Sequence, residues 1–145
     1  MGDSALAAAD GCSMIRKALC YVTRGRALLV FRHRDAPEAG LQVPAGTVLP
    51  GEHPDAAALR EAAEETGRAD FRLVRRLGVC AYRFDQPPRR EWHERHVFHL
   101  LAPPDAPDRW AHFAEGAHWF DCTWVPLGAN PGLAAGQGDL LHHLA

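Results

Sequence analysis

The chain has 145 residues, 47% of them apolar, and a formal net charge of −2. That length and apolar share suit one domain with a substantial core and exclude a collagen-like or largely disordered chain. The near-neutral charge gives no basic field for an extended nucleic-acid surface or an anionic membrane. No apolar run approaches the ~20 residues that span a bilayer, and the opening MGDSALAAADGCS lacks the basic start and long apolar run of a signal peptide. A cytoplasmic location is therefore expected.

Lys17 is the only lysine, so arginine carries nearly all the positive charge. Cys12, Cys20, Cys80 and Cys122 form no Cys-x-x-Cys pair, which argues against a zinc ribbon or redox motif and for small buried hydrophobes.

In chain order, residues 1–13 read as a loose alanine-rich tail and 14–145 as the domain. ALCYVTRG and RALLVFRH are two apolar runs around Arg24-Gly25, a hairpin pattern. RDAPEAG reads as a loop, and LQVPAGTVLPGE as a short strand broken by turn residues. A helix follows: Pro54 suits its first position, Asp55 its first turn, AAALREAAEE is rich in helix formers, and Gly67 is placed to end it. FRLVRRLGVCAYRF reads as a strand bent at Gly78, DQPPRRE as a loop and HVFHLLA as a strand. PPDAPD is a further loop, HWFDCTWVPL a late strand and GDLLHHLA a closing helix. The order points to an α/β or α+β sandwich.

The segment REAAEETG concentrates charge. On a helix Glu61 and Glu65 share a face, with Glu64 beside them. Like charges so spaced destabilise a helix by roughly 0.2–0.5 kcal/mol per pair, and the last turn, where the macrodipole is negative, favours cations. One reading is a solvated acidic face with Glu64 paired to Arg60 or Arg68. The other is a hard divalent cation, since Mg²⁺ takes oxygen ligands and commonly binds through carboxylates together with substrate phosphates. Upstream, VPAGTVLPGE supplies a Pro- and Gly-punctuated loop whose backbone can approach a ligand closely.

The full spacing is Gly46, five residues, Glu52, seven residues, Arg60-Glu61, two residues, Glu64-Glu65, one residue, Gly67. This resembles the Nudix box, G-x5-E-x7-R-E-U-x-E-E-x-G-U, where U is a bulky aliphatic residue. Every fixed charged or glycine position matches. Ala62 and Arg68 depart at the two aliphatic positions, which concern packing more than chemistry. ALLVFRH, LQVPAGTV and HWFDCTWVPL are loosely similar to the usual layout around the box.

The resemblance implies an α/β/α sandwich around a mixed sheet, with a loop–helix–loop motif that hydrolyses a nucleoside diphosphate linked to another group X, using Mg²⁺ or Mn²⁺. It implies Glu61, Glu64 and Glu65 as metal ligands and catalytic residues, with an oxygen from the Ala45 or Gly46 backbone. Arg60 and Glu52 are implied as a supporting pair that orients the carboxylates, and Gly67 as the closing glycine of the box. The family's general base is sometimes a box glutamate and sometimes a loop carboxylate before the late Trp-bearing strand. Glu115 stands in the matching loop, with Glu91 and Glu94 as weaker competitors. A non-catalytic nucleotide-binding module on the same fold is the alternative, and an intact glutamate set argues against it. A small-molecule nucleotide is the expected partner, for a monomer or homodimer.

His93, His96 and His99 recur every third residue, which alternates faces on a strand, so surface or packing roles are expected rather than a shared metal. Arg89 and Arg90 beside Trp92 can meet phosphates and a base, and Tyr82, Phe84 and Trp92 can form a stacking wall. Trp110, Trp119 and Trp124 read as core, and His142-His143 as exposed.

Overall fold

The structure, a computed structural model, describes residues 13–114, 116 and 118–144. Apart from Ser13, the expected N-terminal tail lies outside the described residues, and so do Cys12 and Glu115. Seven strands form one mixed sheet: β1 (Ser13–Arg24), β2 (Ala27–His33), β3 (Ala45–Thr47), β4 (Arg72–Gln86), β5 (Arg89–Leu101), β6 (Arg109–Ala114) and β7 (His118–Pro126). The order is β4-β5-β1-β2-β7-β6, with β3 also paired to β1. β1 and β5 run parallel from Ser13↔Glu91 to Thr23↔Leu101, and every other pairing is antiparallel.

β1 explains the architecture. Ala18–Val22 is buried throughout, as a central strand covered on both faces must be. Ala18, Cys20 and Val22 join Phe31, Phe98, Leu100 and Phe120 in the core under helix α1 (Pro54–Thr66). Leu19 and Tyr21 join Leu28, Val30, Val43 and Val97 in the core on the other face. α1 presents Ala57, Ala58 and Ala62 to the sheet, and these small side chains let helix and sheet approach closely. Pro54 opens the helix; Gly67, at φ 75°, closes it and returns its N–H to the Ala63 carbonyl at 2.8 Å.

The second face is covered by the 41–44 loop and by 3-10 turns at Ala134–Gly136 and Leu141–Leu144. No closing α-helix forms over residues 138–144. The Leu140 N–H goes to the Tyr21 hydroxyl at 3.2 Å, and Leu141 and His143 bond three residues back instead of four.

Other differences from expectation are local. DQPPRRE is the tip of a long hairpin: only Pro87-Pro88 lies outside β4 and β5, and Gln86 pairs with Arg89. β6, which the sequence pattern passes over, is an edge strand. Trp110 and Trp124 pack against the core and donate to the carbonyls of Thr66 and Pro107. Trp119 is instead exposed, edge-on to Phe113 and beneath the Arg34 guanidinium. Among the described residues no helix is long and apolar enough to cross a membrane.

Candidate active site

The loop before α1 and the helix itself are joined through one guanidinium. Arg60 Nε and Nη2 donate to the two Glu52 oxygens at 2.8 and 3.0 Å, and Nη2 also reaches the Thr47 carbonyl at 2.9 Å. Nη1 donates to Glu61 at 2.8 Å and to both Glu64 oxygens at 3.3 Å. Glu52 further accepts the Leu49 N–H at 2.9 Å. The Arg60 guanidinium, helped by that N–H, holds the Glu52 carboxyl down at about 2. The hydrogen bonds it donates to Glu52, and then to Glu61 and Glu64, push Arg60 further into its charged form.

The glutamates differ in setting. Glu61 and Glu65 are 8% and 7% exposed, whereas about half of the Glu64 side chain is open to solvent. Glu65 accepts the Ala45 N–H at 2.7 Å. Glu61 lies so close to Gly46 that a β-carbon there would overlap its carboxylate. Glycine is therefore required at 46 by close approach, with no unusual backbone angle involved. Burying carboxylates is costly unless donors meet them; here Arg60 and the Ala45 amide do so.

Glu61 and Glu65 thus stand at one end of α1 against the backbone of Gly46 and Ala45, while Glu64, half open to solvent, is joined to them through Arg60. Among the described residues no three acidic, histidine or cysteine side chains converge as a finished metal cage. The donor set nevertheless fits a hard cation: carboxylates and backbone carbonyls are its preferred oxygens, and Mg²⁺ completes its shell with waters and phosphates. The glycine cradle keeps the Glu61 carboxylate against the strand backbone.

The residues expected to meet substrate are divided by strand alternation. Tyr82 pairs with His93 and Arg83 with Trp92, so Tyr82 and Trp92 point to opposite faces. Arg89 shares a face with Tyr82; Arg90 goes with Trp92. The Tyr82 face carries groups that sequence reading left unassigned. Arg95 is buried, stacks on Tyr82 at 4.1 Å and donates to the Ala135 carbonyl at 2.6 Å. Lys17 donates to Thr47 Oγ1 at 2.8 Å; burial lowers its pKa, and Glu91, Arg89, Glu61 and Arg95 all act on it electrostatically. Its being the only lysine was the one available signal. Glu91 accepts from Arg89 and from His93, both at 2.8 Å, and its carboxyl is held at about 2, first by Arg89 and then by His93. It is thereby locked as an anion. Burial lowers the His93 pKa, although Glu91, which accepts from its Nε2, acts the other way. Glu94 lies on the other face, 2.8 Å from His96 Nε2.

The family model of the NUDIX domain matches residues 14–144. The chain belongs to the NUDIX domain family. The match covers the whole described sheet except Ser13. Solved structures agree on the fold. A MutT NUDIX hydrolase from Burkholderia pseudomallei is 19% identical with TM-score 0.61, over 92% of this chain and 99% of that one. A UDP-X diphosphatase is 18% identical with TM-score 0.67, over 98% of this chain and 69% of that one. The E. coli dihydroneopterin triphosphate pyrophosphohydrolase is 20% identical with TM-score 0.58, over 79% and 80%. At such identities the likeness concerns the fold alone. No curated protein matches the chain significantly.

Proposed function

We propose that this Nudix hydrolase cleaves the phosphoric anhydride of a nucleoside diphosphate linked to another group X, with Mg²⁺ or Mn²⁺ held by Glu61, Glu64, Glu65 and the Ala45–Gly46 backbone. The observation that carries this is the Arg60 network, which joins Glu52, Glu61, Glu64 and the Thr47 carbonyl while Glu61 rests against Gly46. The names of two structural neighbours, a UDP-X diphosphatase and a dihydroneopterin triphosphate pyrophosphohydrolase, have only the phosphoric anhydride in common, which favours the bond over any one substrate.

The bound cation would neutralise diphosphate charge and lower the pKa of an attacking water. Glu52 and Arg60 hold loop to helix, so that the carboxylates keep their places as the substrate enters. Glu61 and Glu65 are pinned by donors, whereas Glu64 is the box carboxylate open to solvent and to substrate. Glu115 stands as a candidate base or additional ligand. Lys17, Arg89 and Arg95 form a cationic flank on the Tyr82 face, suited to phosphate oxygens, with the Tyr82 and Phe84 rings available to a base. Trp92 and Arg90 are the corresponding candidates on the opposite face.

A screen of nucleoside triphosphates, nucleotide sugars, dinucleoside polyphosphates and triphosphate RNA ends, with Mg²⁺ or Mn²⁺ and with EDTA, tests this reading. Turnover is expected only with metal, and Glu64→Gln should lower it more than ~100-fold. Nucleotide binding with no turnover of any substrate would instead make the chain a binding module.

A further inference from the structure

Strand alternation places a second polar pair on the helix side of the sheet. Phe98 and Leu100 of β5 lie in the core beneath α1, so Glu94 and His96, at the same two-residue period, face the same way. Register locates His96 more closely. It stands beside Ala18 of β1, and Ala18 stands beside Gly46 of β3, where the Glu61 carboxylate rests. His96 and Gly46 are thus two strand spacings apart, ~10 Å between α-carbons, with only a methyl group and a glycine along the row. On its other side His96 pairs with Val79, which is 47% exposed. His96 itself is only 9% exposed.

The two ring nitrogens are treated differently. Nε2 meets Glu94 Oε1 at 2.8 Å. Nδ1 is enclosed and has no hydrogen-bond partner among the described residues. Buried polar atoms rarely stay unpaired, and an exception calls for a function or a partner that arrives. A carboxylate on one nitrogen also fixes the ring's tautomer and orientation, leaving the other nitrogen's lone pair directed.

We propose that Glu94 and His96 form a positioning pair for the metal-binding edge. Glu94 sets the imidazole, and Nδ1 accepts a hydrogen bond from a water shared with the Glu61 carboxylate when the cation is bound. The imidazole and one bridging water would together have to span the ~10 Å row between the two α-carbons. This rests on the metal-dependent reading above and adds to it a supporting contact from β5, outside the box.

The test compares Mn²⁺ affinity of the free protein, by titration calorimetry or electron paramagnetic resonance, with kcat and KM in the same variants. Asparagine places a polar atom near the position of Nδ1, and glutamine near that of Nε2. His96→Asn should stay within about threefold of wild type, while His96→Gln should weaken Mn²⁺ binding ~10- to 100-fold and lower kcat with KM little changed. Glu94→Ala, at a partly exposed position, should weaken binding about tenfold at an unchanged melting temperature, and it decides the matter if His96→Gln does not fold. Equal effects of Asn and Gln would make His96 a packing residue and overturn the pair, as would wild-type affinity in Glu94→Ala. A wild-type chain that neither binds Mn²⁺ nor turns over any substrate would overturn the hydrolase reading itself. Wild-type binding and turnover retained by every variant would overturn the pair alone.

Discussion

Arg60 meets Glu52, Glu61, Glu64 and the Thr47 carbonyl with one guanidinium, which is how glutamates that repel one another on an isolated helix come to share its last two turns. Glu52 offers the cleanest measure of that arrangement. Its carboxyl falls from an ordinary 4.5 to about 2 in the folded chain, first through Arg60 and then through the Leu49 amide. A depressed carboxyl stabilises the fold fully above its unfolded pKa, and the contribution is lost as pH drops through the folded value. Glu52→Gln should therefore be less stable than wild type at neutral pH, with the difference shrinking as pH falls from 4.5 toward about 2. Urea unfolding of both proteins across that range measures it, and a difference independent of pH would show that the Arg60–Glu52 charge pair is not the cause. At this scale the box spacing was a good guide, because a motif of fixed charges records which side chains must meet. It could not show that Gly46 is there for the Glu61 carboxylate, since close approach is a property of two segments and not of one. Nor could proximity in sequence show that Tyr82 and Trp92 part company: that depends on which strand residues pair across the hairpin.

Among the elements, α1 was legible because its signals are local: proline at the start, alanines along the buried side, glycine at the end. The C-terminal segment was not, because its apolar DLLHHL stretch looks helical in isolation, while the Tyr21 hydroxyl, from β1, takes the Leu140 amide and accompanies a shift to three-residue bonding. The long β4–β5 hairpin was hidden for a similar reason. DQPPRRE is polar because it projects from the core, yet cross-strand pairing continues to Gln86↔Arg89. The α1 terminus carries a prediction of its own. Gly67 sits at φ 75°, and a β-carbon there would come within 2.5 Å of His112 Nδ1 on β6. Gly67→Ala should cost about 1–2 kcal/mol for the left-handed backbone alone, seen as a fall of roughly 2–8 °C in Tm for a chain of this size. An unchanged Tm would mean that helix end and β6 accommodate the methyl together. The box glycine would then owe its presence to something other than capping.

Across the whole molecule, the parallel β1–β5 pairing sets the plan: β5 runs beside β1 along its full length and carries polar groups to both sides of it. On one side lie Glu91, His93 and Arg95 near Lys17; on the other lie Glu94 and His96 beneath the α1 layer. The glutamate end of the helix lies against β3 and the arginines of the cationic flank on β5, both strands pairing with β1, and Lys17 of β1 is acted on by Glu61 as well as by Glu91, Arg89 and Arg95. On the proposed reading, binding is a joint event. A diphosphate arriving alone meets Glu61, Glu64 and Glu65 as like charges, whereas a cation placed among them turns the same carboxylates into an attractive edge. A nucleoside diphosphate sugar with a non-hydrolysable methylene bridge should therefore raise Tm strongly only together with Mg²⁺. At a hundred times its Kd such a ligand adds about 2.7 kcal/mol of stability, or roughly 5–11 °C. Mg²⁺ alone should shift Tm less, and the analogue in EDTA should leave it unchanged. Glu64→Gln, with one carboxylate fewer to hold the cation, should lose most of the joint shift. Equal stabilisation by the analogue in EDTA would place the phosphates against the arginines and Lys17 alone, and the glutamates would then need another explanation for standing together.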